Sequence, residues 1–262
     1  MGFDWSDGDY ERMAATLEPA AAALVDYAGV TGGHHVVDVG CGTGNATIVA
    51  ARIGARVTGI DPAEGLLEIA RDRLAMIDAD VAFAEGLAED LPAPDDIADV
   101  ALSAFAVIFA DDPSAAVAEM ARVTRPNATV ALTSWRTTGT ISAIGDVLRR
   151  RIPATDVPDQ RWGDDEWIRD LLEAAGLIGI EITDRTVEFR SGSPEQFLQE
   201  LEDHHPAWRA VYHQLSDPDR GAAHDESLEI LRAGNEAREA FLATSAYALV
   251  RARVPGEEAT SA

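Results

Sequence analysis

Short apolar runs and longer amphipathic stretches alternate along the first half of the chain. His35-Val36-Val37-Asp38-Val39 reads as a buried strand that runs into Gly40-Cys41-Gly42-Thr43-Gly44-Asn45 and then a helix to about Ile53. Gly54 stops that helix, and Arg56-Val57-Thr58-Gly59-Ile60-Asp61 is a second strand. From Ala63 to about Met76, Leu66, Leu67, Ile69, Ala70 and Leu74 recur close to helical spacing. Asp80 to Ala84 and Ile97 to Ser103 read as a third and a fourth strand. Ser114 to Val123 is helical, stopped before Pro126, and Thr129 to Trp135 is a fifth strand. Ahead of them, Thr16 to Ala28 is helix-like, with Pro19 near its first turn.

Strands alternating with helices of this length imply an α/β fold, a mostly parallel sheet covered on both faces. Right-handed crossovers bring the strands' carboxyl ends to one edge, and ligands bind there, where strand order reverses. After Trp135 the alternation stops. Residues 137–165 are irregular and helical and include Arg149-Arg150-Arg151. A helix from about Asp165 to Ala175 ends at Gly176, followed by two strand-like stretches, Leu177–Thr183 and Thr186–Arg190. A second helical stretch covers Pro194 to about Ala240, Ser245 to Arg251 is a last strand, and a polar tail from Pro255 is expected to be disordered.

Length and charge narrow the picture. The 262 residues suit one α/β domain with a modest insertion, and 47% hydrophobic residues suffice for a sizeable core. Forty-six acidic residues face 21 basic ones, all Arg, for a formal charge of −25. Such a chain is repelled by nucleic acid and by anionic membranes, so neither is an expected partner. A GC-rich coding bias and adaptation to high salt both produce this composition. The single cysteine, Cys41, excludes an internal disulfide and fits a reducing compartment. No apolar run approaches the roughly 18 residues of a membrane span, and the N-terminus lacks signal-peptide character, so a cytoplasmic location is expected. Gly2 and Ser6 meet a loose myristoylation pattern that no polybasic patch supports. Asn-Ala-Thr at Asn45 and at Asn127 is read as chance within a cytosolic core.

The glycine-rich turn carries the chemistry. Glycine there permits positive φ and close ligand approach, and the following helix offers its positive end to an anionic group. The spacing is G-x-G-x-G, with Asn45 where the third glycine of a dinucleotide-binding turn would fall, and no Lys-Ser/Thr pair makes a P-loop. Asp61 ends the next strand about twenty residues on, where a carboxylate accepts hydrogen bonds from ribose hydroxyls. Turn and acid together point to a nucleoside ligand without a pyrophosphate.

These residues resemble motif I of the class I S-adenosylmethionine (SAM)-dependent methyltransferases, and the likeness runs from about Asp4 to Val254. Gly86-Leu87-Ala88-Glu89-Asp90-Leu91-Pro92 and Arg122-Val123-Thr124-Arg125-Pro126 resemble two further family segments. The subgroup most alike contains quinone C-methylases and small-molecule methylases. The resemblance implies a Rossmann-like, mostly parallel seven-stranded sheet with a helical cap, and SAM as cofactor. It also implies that Asp38, Gly40, Cys41 and Gly42 form the turn around the methionine moiety, the two glycines through backbone contacts. Asp61 would hold the ribose, with Pro62 against the adenine. Leu87, Ala88 and Glu89 would lie beside the adenine, Ala88 through its N–H, and the Ser103 carbonyl would meet the methionine ammonium. Trp5 and Tyr10 would fold over the cofactor. Leu87 departs from the family's acid or amide, and Pro126-Asn127-Ala128 replaces Pro-Gly-Gly at a turn where Asn can adopt left-handed φ.

The implied layout is a covering segment (1–30), a SAM-binding core (31–136), a cap insertion (137–165), a core helix and strand (166–192), a second helical cap (193–240), a last strand (241–254) and a tail (255–262). Trp135, Arg136 and Trp208 are candidates for the substrate pocket. His204 and His205 are candidate general bases, set against a packing role; Arg149–Arg151 either steer an anion or cap a solvated helix end. Cys41 is either a reactive thiol or a small side chain in a crowded turn. No metal site is expected. The functions in view are methyl transfer to O, N or C of a small molecule, quinone-ring C-methylation, and SAM binding without turnover, with a homodimer as the candidate assembly.

Overall fold

The computed structural model describes residues 10–152 and 160–256. Gly2, Trp5 and residues 257–262 of the tail lie outside the described residues. Strands β1 (His35–Val39), β2 (Arg56–Asp61), β3 (Val81–Glu85), β4 (Ala98–Ser103), β5 (Thr124–Trp135), β6 (Ile178–Ser191) and β7 (Phe241–Arg253) form one sheet in the order β3-β2-β1-β4-β5-β7-β6. The first five are parallel. β7 runs antiparallel to both β5 and β6. The winding direction changes between β1 and β4, so the crevice at their carboxyl ends is the place for a ligand. β1 is buried at all five positions, as a central parallel strand must be.

Helices α1 (Tyr10–Tyr27), α2 (Asn45–Ile53), α3 (Glu64–Leu74), α4 (Pro113–Val123) and α6 (Asp165–Ala174) belong to the sheet layers. Capping fixes several of their starts. Asp112 accepts from the N–H groups of Ser114 and Ala115 at 2.9 and 3.1 Å ahead of Pro113, and Asp164 caps α6 in the same way. Helices α5 (Thr140–Arg149), α7 (Pro194–His204), α8 (Pro206–Tyr212) and α9 (Asp217–Ala233) pack on one another as the cap. Arg150 and Arg151 both pair with Glu226, tying α5 to α9. Two of the three arginines in that run are thus structural ties between cap helices.

Several boundaries differ from the sequence reading: α1 begins at Tyr10 and not Thr16, β7 begins at Phe241 and not Ser245, and β6 and β5 differ as well. β6 is a single strand of 14 residues, not two stretches, because Thr183, Asp184 and Arg185 stay paired with Leu249, Ala248 and Tyr247 of β7. β5 begins at Thr124, and its register with β4 slips between Ala98 and Val100. Asn127 lies in that irregular stretch with φ 65°, the left-handed conformation expected of it.

Candidate functional site

The turn after β1 is held from β2. The N–H groups of Gly40 and Cys41 both donate to the Ile60 carbonyl, at 2.7 and 3.0 Å. Asp61, buried at the end of β2, accepts from the N–H of Gly42 at 2.8 Å and from that of Ala63 at 2.9 Å. Gly40 has φ 66°, and a Cβ there would fall 2.2 Å from that of Ala106, so no other residue fits. Burial pushes the Asp61 carboxyl up, against the opposing pull of its two backbone donors. Each carboxylate oxygen still has a further lone pair to offer.

Asp38 forms part of a narrow cleft of about 40 Å³ beside this turn, with Gly40, Gly42, Ala104 and Phe105. Its Oδ2 accepts from the Thr47 hydroxyl at 2.6 Å, while its Oδ1 is buried with no partner among the described residues. Desolvation pushes the carboxyl up to about 6. A buried carboxylate with one oxygen unsatisfied is a receptor for a cation.

Helix α1 closes the cleft with Ala14, Leu17 and Ala21, and polar side chains fasten it there. Asn45 donates to the Ala14 carbonyl at 2.7 Å. Arg73, on α3, donates to the Thr43 carbonyl at 2.7 Å, to Asn45 at 2.8 Å and to Glu18 of α1 at 2.7 Å. Asn45 therefore stands in place of a third glycine because it anchors the covering helix.

Next to the cleft is a larger cavity of about 290 Å³, and Leu17 and Phe105 belong to the walls of both. Aromatic rings run along one side of it: Phe105 on Trp135, then Phe189 and Phe197 at centroid spacings of 4.0, 6.2 and 6.1 Å. Ile144 and Leu148 of α5, Leu201 of α7 and Trp208 of α8 contribute from the cap.

Residues 37–132 match the family model described as a methyltransferase domain. A methyltransferase of Streptomyces halstedii, GfsG, is 30% identical over 194 residues, covering 72% of this chain and 69% of that protein. The chain belongs to the class I SAM-dependent methyltransferases. An uncharacterized protein of Mycobacterium tuberculosis is 34% identical over 181 residues, 68% of this chain and 66% of that relative's length. Among solved structures, the YcgJ protein of Bacillus subtilis aligns with a TM-score of 0.63 at 18% identity, covering 90% of this chain and 99% of that one, and so shares the fold.

The residues present fit the cofactor of this methyltransferase family. SAM carries an ammonium and a sulfonium, and the orphaned Oδ1 of Asp38 lies in a cleft whose glycine wall leaves no room for a Cβ at position 40. Several expected contacts take a different form. The amides of Gly40 and Gly42 are already spent on Ile60 and Asp61, because the turn must be braced against β2. What those glycines offer a ligand is close approach. Ser103 is fully buried, with its hydroxyl donating to the Val39 carbonyl at 2.9 Å and accepting from the Val107 N–H at 3.1 Å. It is Ala104, one residue on, that lines the cleft. The Glu89 carboxylate accepts from the N–H of Asp111 at 2.7 Å and so holds the loop before α4. Pro62 and Leu87 are exposed near the ends of β2 and β3, and Ala88 is half-buried between Leu87 and Glu89. Cys41 is buried in the turn and its thiol is pushed far up by burial, which leaves a packing side chain and no nucleophile. Tyr10 opens α1.

The substrate candidates Trp135, Arg136 and Trp208 all reach the cavity. Arg136, however, is spent on Asp165 and Asp184, both at 2.6 Å, since it staples the end of β5 to α6 and β6. Of the two histidines, His205 lines the cavity, and His204, the last residue of α7, is not among its lining residues. His205 also caps α8, its Nδ1 accepting from the Trp208 N–H at 3.3 Å. Leu17, Phe105 and Arg73 were missed by sequence reasoning, although Phe105 is signalled by its place just past a strand's carboxyl end. Among the described residues no group of three His, Cys, Asp or Glu side chains is placed to hold a metal ion, and no helix is long and apolar enough to cross a membrane.

Proposed function

We propose that this protein transfers the methyl group of SAM to a small molecule seated in the aromatic-walled cavity. The observation that carries the reading is that the cleft and the cavity share Leu17 and Phe105 as walls, so a donor in one and an acceptor in the other adjoin. SAM, when bound, supplies an electrophilic methyl on a sulfonium. The chain's own residues align and exclude. Asp38 offers its free carboxylate oxygen to the ammonium, and Asp61 offers its remaining lone pairs to ribose hydroxyls. Helix α1, tethered through Asn45 and Arg73, covers the cleft and keeps water from it. Orientation of two reactants in this way supplies several kcal/mol of barrier reduction, on the order of 7–11 kcal/mol at best.

The absence of any acidic side chain from the described cavity lining argues against an amine acceptor held as a cation. A quinone ring is one flat, apolar acceptor of suitable shape. Incubating the protein with methyl-labelled SAM and a metabolite extract tests the reading: label should move to an extract component, with S-adenosylhomocysteine formed in equal amount. SAM binding without any such transfer would favour the non-catalytic alternative.

A further inference from the structure

Among the described residues, three other than glycine have positive φ: Asp96, Phe105 and Asn127. Asp and Asn tolerate that conformation, because a short polar side chain can bond locally. A bulky ring gains nothing from it. Phe105, with φ 56°, must therefore be held by its surroundings.

Two side chains of β5 and one of β7 hold it. Ser103, at the end of β4, lies opposite Leu132 in the ladder. Beyond that pair the chain leaves the ladder, and the Phe105 N–H donates at 2.8 Å to the hydroxyl of Thr133, the next residue of β5. Thr133 is fully buried. Two residues on, and so on the same face of β5, the Trp135 ring receives the Phe105 ring flat at 4.0 Å. Tyr247, opposite Trp135 on β7, meets the Phe105 ring edge-on with centroids 5.4 Å apart. Backbone and ring are thus fixed separately, the one by a hydroxyl and the other by two aromatic side chains.

The ring so held is a wall of both the cleft and the cavity, whereas Thr133 is among the described lining residues of neither. Leu17, the other shared residue, comes from the covering helix α1, so Phe105 is the shared wall that the sheet edge contributes. Methyl transfer from cleft to cavity is an in-line displacement: the acceptor atom bonds the methyl carbon as its bond to sulfur breaks, and the electron pair leaves on sulfur. Small displacements of the reacting groups cost such a step large factors in rate.

Resting on the methyl-transfer reading above, we infer that Thr133 is a positioning residue of the reaction: its hydroxyl, through the Phe105 N–H, fixes the ring that sets acceptor against donor. A methyl in place of that hydroxyl leaves the N–H buried without an acceptor and frees the backbone to leave the left-handed region. The ring then leaves its slot against Trp135, although neither pocket has lost a lining residue.

Thr133→Val keeps the shape of the side chain and removes the hydroxyl, and Thr133→Ser keeps the hydroxyl. Fluorine NMR of the full chain, carrying 4-fluorophenylalanine at its seven Phe positions, follows the ring. The Phe105 signal is identified by its loss in Phe105→Leu. It should move when S-adenosylhomocysteine is added to the wild-type protein. In Thr133→Val it should shift or split without any ligand, and in Thr133→Ser it should stay at its wild-type position. In parallel, S-adenosylhomocysteine formation from SAM and a metabolite extract should slow about tenfold or more in Thr133→Val, with calorimetric affinity for S-adenosylhomocysteine held within about twofold. Thr133→Ser should keep a near-wild-type rate. Thr133→Ala, which also lacks the hydroxyl, takes the place of the valine variant if that chain does not fold.

A Phe105 signal unmoved in Thr133→Val, or moved as far in Thr133→Ser, overturns the inference. So does a signal indifferent to S-adenosylhomocysteine, or wild-type turnover in a variant whose signal has moved. Absence of turnover in the wild-type protein tells separately against the methyl-transfer reading, while the fluorine signal still decides whether Thr133 sets the ring.

Discussion

The ring of Phe105 lies flat against that of Trp135, centroids 4.0 Å apart and planes 13° from parallel, where the narrow cleft beside the glycine turn meets the larger aromatic-walled cavity. Phe105 is held there in a left-handed backbone conformation, φ 56°, with its N–H bonded to the Thr133 hydroxyl at 2.8 Å. A bulky residue adopts that conformation at a cost of about 1–2 kcal/mol, and such strain clusters at working sites.

Phe105→Ala should destabilise the fold by about 3 kcal/mol through lost packing, and it should depress acceptor turnover more than SAM affinity. Phe105→Gly loses the same ring but relieves the φ strain, so it should be about 0.5–1 kcal/mol more stable than the alanine variant. Urea unfolding of the two variants decides the point; equal midpoints would mean the backbone is not strained.

Asp38 predicts a pH dependence. Its carboxyl titrates near 6 in the fold, against 3.8 for the ordinary group. Between those values the folded state keeps a proton that the unfolded chain has released. Stability therefore falls as pH rises through the window, by on the order of 2–3 kcal/mol in all, and the penalty stands in full above pH 6. Asp38→Asn should flatten that part of the stability curve. An ammonium prefers the ionised form, so SAM affinity should rise with pH up to about 6 in the wild-type protein and lose that dependence in the variant. Parallel slopes for the two proteins would remove Asp38 from the ammonium site.

Asp61→Ala should weaken SAM binding by about 1–3 kcal/mol, the scale of lost hydrogen bonds to a charged group. Because Asp61 also braces Gly42 and Ala63, the same variant should unfold more easily even without cofactor. Calorimetry on folded protein separates the two effects. Unchanged affinity would discard the ribose assignment.

Asn45→Gly restores the glycine of a dinucleotide turn and cuts the tether to Ala14 and Arg73. Amide exchange over α1 should quicken by about tenfold, as expected for about 1–1.5 kcal/mol of lost hydrogen bonding, and SAM should dissociate faster. Protection of α1 equal to wild type would show that Arg73 and packing suffice to hold it.

The cofactor half of the molecule was legible because its signals are local. Val36–Val39, the glycines and Asp61 lie within one strand–turn–helix–strand run, where residue spacing already dictates which groups converge. Contacts made across the chain were less so. Arg136 reads in sequence as a charge near a pocket, yet Asp165 and Asp184 neutralise it from 29 and 48 residues away. The long β6 reads in sequence as two pieces because Asp184 and Arg185 between them are charged, and only pairing with β7 keeps those two residues in the strand.

By itself, then, the sequence determined the parallel core, its glycine turn and its acid, and with them the cofactor class, since each depends on neighbours a few residues or one crossover apart. The tertiary structure alone decided that Leu17 and Phe105 join cleft to cavity, that His205 caps a helix, and that no acid is among the described residues lining the cavity. Those properties arise where α1, the end of β4 and the cap helices meet. Such distant segments share a surface only after the chain has collapsed around a common core, and no pattern within any one of them encodes it.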